Sequence, residues 1–245
     1  MEGNYKPYDY KKSADRLDEI LSQPRGQFVE ADSLPDRSRL TYTNGYYAHC
    51  TALFVDIRDS SKLPDKYTRP RLAKIYRAFI SEMVAVLGSD LYVLEVNIVG
   101  DCVWAVYKTP KTTDIDDVFT IAARANTLIN LVNKKMEKKG YTDTLRIGIG
   151  VDYGRVLMIK AGYSGSGIND IVYMGDVVNR AAHLAHSAGR NTFFAQDPIW
   201  VGEIFAQNLN EENKKLLESK FSYELGNYRT GYVILTEMNE WIDSL

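Results

Sequence analysis

The stretch Leu91–Tyr107, LYVLEVNIVGDCVWAVY, decides the fold of this chain. Two runs of β-branched and aromatic residues flank the pair Gly100-Asp101, the pattern of a β-hairpin closed by a tight turn. Most residues around Asp101 are apolar, so the hairpin is expected to be buried, with one carboxylate held at its tip. Gly-Asp is ordinary turn chemistry, and a carboxylate on a rigid tip is also a usable metal ligand. The second reading gains weight from Asp56, which ends another apolar run in TALFVDIRDSS.

Upstream of the hairpin, Ala48–Ile57 (AHCTALFVDI) reads as a buried strand that runs into the polar loop RDSSKLPDKY. Ser60 and Ser61 are expected to cap the helix that follows, with their amides facing an anion. Tyr67–Leu87 places Leu72, Ile75, Tyr76, Phe79, Met83 and Val86 at helical spacing, and its lysines and arginines read as a solvated face. Downstream, Ile115–Lys138 is a second long helix, and Leu145–Tyr153 and Val156–Ala161 are expected strands around Gly154. GYSGSGIND reads as a flexible loop, Ile171–Met174 as a short strand, and Val177–Ser187 as a helix ended by Gly189. Thr192–Ala195 reads as a strand, Ile199–Ala206 and Asn210–Ser219 as helices, and Phe221–Leu225 and Gly231–Leu235 as a closing strand pair. Residues 1–43 differ: a short helix over Ser13–Ser22 and a proline-containing linker make an arm that packs on the domain or on a neighbour, ahead of a domain over 44–245.

Strand, helix, hairpin, helix and strand in that order predict an α+β chain with a ferredoxin-like β-α-β-β-α-β core, an antiparallel-rich sheet with helices on one face. That arrangement sets the end of the first strand beside the hairpin, so Asp56 and Asp101 converge. Two carboxylates suit Mg²⁺, which takes its remaining ligands from phosphate and water. A pair of such ions activates an attacking oxygen and stabilises a leaving one.

A net charge of −2 over 245 residues gives no general attraction to nucleic acid or to an anionic membrane. The two cysteines, Cys50 and Cys102, lie in strand-like runs and read as buried free thiols of a reducing compartment. No apolar run approaches the roughly 18–20 residues of a membrane span, and MEGNYKPYDYKK lacks the apolar core of a signal peptide. The expectation is a cytoplasmic, soluble protein.

FVDIRDSSKL, NIVGDCVWAVY, LRIGIGVDYGRV and VYMGDVVNRAAHLA resemble, in order and spacing, four motifs of the class III nucleotidyl cyclase catalytic domain, over roughly Tyr46–Leu235. The GG(D/E)EF signature of the diguanylate cyclases, which share the core, is absent. The resemblance implies that Asp56, Asp101 and the carbonyl of Ile57 bind two Mg²⁺ or Mn²⁺ ions. Asp59, Ser60 and Ser61 match the turn whose amides hold the triphosphate, and Asn179 the asparagine that orients the ribose. It also implies a homodimer with two composite sites, Asp56 and Asp101 coming from one chain and Asn179 from the other.

The departures from the family pattern carry information of their own. Where the family places an arginine four residues after the asparagine, this chain has His183; Arg180 lies about 100° round the helix and does not replace it. Arg229 sits near the family's triphosphate-binding lysine. At the base-reading positions, where adenylate cyclases have Lys and guanylate cyclases Glu, the chain has Asn97, and the partner position is Val172. An amide beside an apolar side chain suits a pyrimidine edge, and Tyr46 and Tyr47 are candidates for narrowing the pocket. With these features the chain looks like the pyrimidine cyclases of bacterial anti-phage defence (Pycsar). That implies UTP or CTP as substrate, a cyclic mononucleotide and pyrophosphate as products, and a separate effector that reads the messenger. An adenylate or guanylate cyclase with an atypical base pocket, and an inactive cyclase-like nucleotide-binding domain, are the alternatives.

Overall fold

The computed structural model describes residues 3, 5–24, 27–190 and 196–245. Among the described residues nine strands form one sheet: β1 (Phe28–Glu30), β2 (Gly45–Ile57), β3 (Val93–Val99), β4 (Cys102–Tyr107), β5 (Ile147–Gly162), β6 (Asn169–Met174), β7 (Ile199–Gly202), β8 (Glu218–Ser222) and β9 (Gly226–Gly231). The order is β3-β4-β2-β5-β7-β9-β8, with β1 added to β2 and β6 to β5. Pairings are antiparallel except β1 with β2 and β5 with β7. The helices are α1 (Tyr10–Leu21), α2 (Leu63–Lys66), α3 (Arg69–Leu87), α4 (Thr112–Lys138), α5 (Asp176–Ser187), α6 (Glu203–Asn208), α7 (Glu211–Lys215) and α8 (Thr236–Asp243).

The centre of the fold is β2, an almost unbroken apolar run because both of its faces are covered. Leu53, Val55 and Ile57 point into a core shared with Ile75, Phe79 and Met83 of α3 and with Phe119, Ala122 and Leu128 of α4. The alternate residues Ala48, Cys50, Ala52 and Phe54 point into a second core with Val177, Ala181 and Ala185 of α5. The two long helices of the ferredoxin-like core thus share one face, as expected, and α5 covers the other.

The hairpin forms where expected, with β3 and β4 paired antiparallel around Gly100, whose φ of 64° is the left-handed conformation that a glycine supplies freely. It is not buried throughout: β3 lies at the sheet edge with Ile98 and Val99 exposed, and only β4 enters the core. Other expectations are corrected. The strands placed either side of Gly154 are one strand, β5, which pairs with β2 from Ile147 to Ile159. Ile199–Ala206 is not a helix throughout: Ile199–Gly202 is β7, parallel to β5, and the helix begins at Glu203. A four-residue apolar run carries no period, and here sheet pairing decides it. Asn210–Ser219 is helical only as α7, and the last hairpin is β8 and β9 turning at Gly226 (φ 65°), earlier than expected; Tyr232–Leu235 is not a strand. The C-terminal helix α8 was not foreseen, and the strand expected over Thr192–Ala195 lies outside the described residues. In the segment before the domain, Leu34 and Leu40 are buried in the second core, while α1 has no buried residue.

Candidate active site

β2 ends at Ile57, and its register sets Asp56 opposite Cys102, the residue after Asp101. Strand pairing alone therefore carries the two carboxylates together. Burial raises the pKa of Asp56, Arg58 opposes that, and the charge of Asp101 adds to it. A buried carboxylate whose ionisation is opposed by a second carboxylate marks a place that favours a cation.

Among the described residues no group of three or more His, Cys, Asp or Glu is placed to hold a metal. Two acidic ligands with a strand-end carbonyl fit an ion that completes its shell with phosphate and water, and do not fit a closed structural site. The thiols do not compete for the role. Burial pushes Cys50 and Cys102 up to about 12, which leaves them protonated.

Arg58 organises the floor of the site. Its side chain is only 6% exposed. Nη2 donates to Asp56 Oδ2 at 2.9 Å and to the Ala185 carbonyl at 2.8 Å, and Nη1 donates to the His186 carbonyl at 2.6 Å. The guanidinium thus joins the end of β2 to the C-terminus of α5, where the exposed carbonyls of a helix favour a cation. The helix comes this close because β5 has no side chain beneath it at Gly148 and Gly150. A Cβ there would meet Ala185 O at 2.4 Å and Ala181 O at 2.1 Å.

A cleft of about 550 Å³ opens over Asp56. Asp56, Ile57, Asp59, Ser60 and Ser61 line it, together with Arg58, Lys62, Arg146, His186 and Arg190. Asp59 occupies the left-handed region at φ 56°, uncommon outside glycine but tolerated by aspartate, and it turns the chain from β2 into the 3-10 helix Ser60–Lys62. Its carboxylate accepts from Lys62 and from Arg146, both at 2.7 Å, which holds its pKa below the usual range. Ser60 and Ser61 make no capping hydrogen bond, contrary to expectation: α2 starts after them with no side-chain cap.

The remaining predicted residues lie elsewhere. Asn179 and His183 share an exposed stripe of α5, one turn apart. His183 Nδ1 lies 3.9 Å from Glu224, with the side chain 63% exposed. Asn179 sits two turns, about 10 Å, before His186. Neither Asn179 nor His183 lines the cleft of its own chain. Arg229, on β9, donates to Glu203 Oε1 of α6 at 3.0 Å and is likewise outside the cleft. Asn97 pairs with Trp104, whose ring stacks on Phe54 at 5.0 Å and meets Tyr173 edge-on at 6.2 Å. Val172 is exposed and alternates with buried Ile171 and Tyr173, so Tyr173, not Val172, faces the Trp104 ring. The rings of Tyr46 and Tyr47 take Arg39 and Arg155, and neither lines the cleft over Asp56.

Sequence reasoning passed over Arg58, Arg146, His186 and Arg190. They come from three separate segments, and their convergence is a product of the β2–β5 register and of α5 lying on glycines. Arginines beside the quoted motifs, Arg58 in VDIRDSS and Arg146 in LRIGIG, were the available signal.

Comparison with known proteins agrees with this geometry. Residues 43–196 match the model of the adenylate and guanylate cyclase catalytic domain. The chain is 35% identical over 237 residues to a protein named uridylate cyclase from Treponema porcinum, covering 96% of this chain and 81% of that one. It is 36% identical over 264 residues to a uridylate cyclase from Gulbenkiania mobilis, covering 99% of each. The adenylyl cyclase CyaB from P. aeruginosa shares the fold with a TM-score of 0.63 at 17% identity, covering 76% of this chain and 95% of that one. With the acidic pair, the hairpin and the motif order all in place, the chain belongs to the adenylate and guanylate cyclase catalytic domain family, the class III nucleotidyl cyclases.

Proposed function

We propose that this protein is a uridylate cyclase that converts UTP to 3′,5′-cyclic UMP and pyrophosphate, and that the product is a second messenger of anti-phage defence read by a separate effector. The observation that carries this reading is Asp56 in a cleft lined by Lys62, Arg146 and Arg190, with Asp101 close enough for its charge to act on Asp56. Near-full-length similarity to proteins named uridylate cyclase favours the uracil base. Asn97 in place of a purine-reading residue supports the same choice, since its amide offers one donor group and one acceptor to a pyrimidine edge.

In the reaction the ribose 3′-oxygen bonds to the α-phosphorus, the bond from that phosphorus to the β-phosphate bridging oxygen breaks, and the hydroxyl proton leaves to solvent. Two Mg²⁺ or Mn²⁺ ions, held by Asp56, Asp101 and the Ile57 carbonyl, would supply Lewis acidity for the attacking hydroxyl and neutralise the triphosphate. The chain's own groups do the rest. Lys62, Arg146 and Arg190 place positive charge along the cleft, where pyrophosphate develops. Arg58 fixes the rotamer of Asp56 through one oxygen and leaves the other free. Asn179, exposed and outside its own cleft, serves the site of a second copy, and exposed Ile98, Val99, Val172 and Met174 supply apolar surface for that contact.

Incubation with all four ribonucleoside triphosphates and either metal, followed by product analysis, tests the reading. Cyclic UMP as the main product is expected, and Asp56→Asn should lower turnover by at least about a hundred-fold with the fold retained. Cyclic AMP or GMP as the main product rejects the base assignment. No product with either metal favours the inactive nucleotide-binding domain, the reading that His183 in place of arginine supports.

A further inference from the structure

The segment ahead of the catalytic core is anchored at two points. Leu34 and Leu40 are 1% and 4% exposed and enter the second core beside Ile171 and Tyr173. Between them the 3-10 turn Arg37–Arg39 holds Arg37 at the surface. Its guanidinium joins two strands that are not neighbours in the sheet. Nη1 donates to Glu95 Oε1 of β3 at 3.2 Å, and Nη2 donates to Asp170 Oδ1 of β6 at 2.9 Å. Glu95 lies two residues before Asn97, and Asp170 two residues before Val172, so each carboxylate shares a pleat face with a base-reading position. The buried Tyr173 donates its hydroxyl to Glu95 Oε2 at 2.6 Å. Next to Arg37, Asp36 accepts from Lys108 at 2.8 Å, which ties the same segment to the end of β4.

This bracing answers a mechanical need. Among the described residues β3 is the last strand on its side of the sheet, bonded only to β4, and β6 is bonded only to β5. No ladder hydrogen bond fixes the distance between them. We propose that Arg37 is a positioning residue for base selection. By holding β3 and β6 at one separation, it sets how far Asn97 of β3 stands from Tyr173 of β6, a spacing that favours a one-ring base over a two-ring base. The proposal rests on the cyclase reading with Asn97 at the base. The Arg37 side chain is 53% exposed, and ion pairs at such exposure add little to stability, so the effect falls on selectivity and not on folding.

The test is competition among UTP, CTP, ATP and GTP, with the cyclic products quantified, for the wild-type chain, Arg37→Ala, Arg37→Lys and Glu95→Gln, with a thermal melt of each. Arg37→Ala should lower the pyrimidine-over-purine ratio of kcat/KM about ten-fold, with the melt unchanged and the loss for UTP in KM and not in kcat. Arg37→Lys should recover part of the ratio, because an ammonium reaches one carboxylate but does not fork to two. Glu95→Gln should move the ratio in the same direction as Arg37→Ala. An unchanged ratio in Arg37→Ala, or an equal fall in kcat for all four nucleotides, overturns the proposal and leaves the cyclase reading standing. A wild-type chain that yields a purine product, or none, rejects the uridylate reading before any variant is made, and this proposal falls with it.

Discussion

At the residue scale, the most displaced carboxylate outside the cleft is Asp152 on β5. It is 5% exposed, and it fits only because Gly202 leaves room: a Cβ there would meet Asp152 Oδ1 at 1.9 Å. Burial pushes its pKa from 3.8 up to about 6; the Tyr153 backbone amide and Arg180 oppose that, and Asp176 adds to it. Arg180 Nε lies 3.6 Å away, too far for a hydrogen bond, so desolvation wins. The folded chain holds this proton more tightly than the unfolded chain does. The contribution of Asp152 to stability is therefore present at low pH and is lost as pH rises from 3.8 to about 6. Asp152→Asn should remove that slope and raise the melting temperature at neutral pH, as thermal melts across this range will show. Single residues differ in how legible they are. Asp56 and Asp101 stand out because each interrupts an apolar run. Asp152 does not, because its environment is set by Gly202, which is fifty positions away in the sequence.

At the element scale, the site depends on how closely α5 lies on β5. Gly150 has an ordinary strand conformation, and its requirement is purely steric: an added Cβ would sit 2.1 Å from Ala181 O and 2.2 Å from Ala185 N. Gly150→Ala should push α5 off the sheet, cost about 3 kcal/mol in denaturant melts, and break the contacts that hold Arg58. Cyclase activity should fall further than stability alone accounts for. In the sequence, IGIGV reads correctly as strand, because its isoleucines and valine suit the sheet. That its glycines are the seat of a helix is not readable, since nothing local distinguishes them from turn glycines. The same gap explains Ile199–Gly202, where a parallel neighbour and not local periodicity makes a strand.

At the scale of the whole molecule, the acidic pair and Asn179 sit on one chain but not in one cleft. The composite site proposed above predicts complementation. Asp56→Asn and Asn179→Ala chains, each inactive alone, should regain up to about a quarter of wild-type activity when mixed, since half the dimers are heterodimers with one intact site of two. No recovery on mixing, with dimers verified by light scattering, rejects the composite site. The sequence by itself determined the family, the order of the core elements, the hairpin and the two carboxylates, because motif order and apolar patterning are properties of neighbours along the chain. Only the tertiary structure decided that α5 covers the second face, that four cationic side chains ring Asp56, that Arg229 belongs to Glu203, and that Arg37 braces β3 against β6. Each of these depends on segments far apart in sequence meeting at a distance set by sheet register and by the absence of a side chain at a glycine, which a one-dimensional pattern does not record.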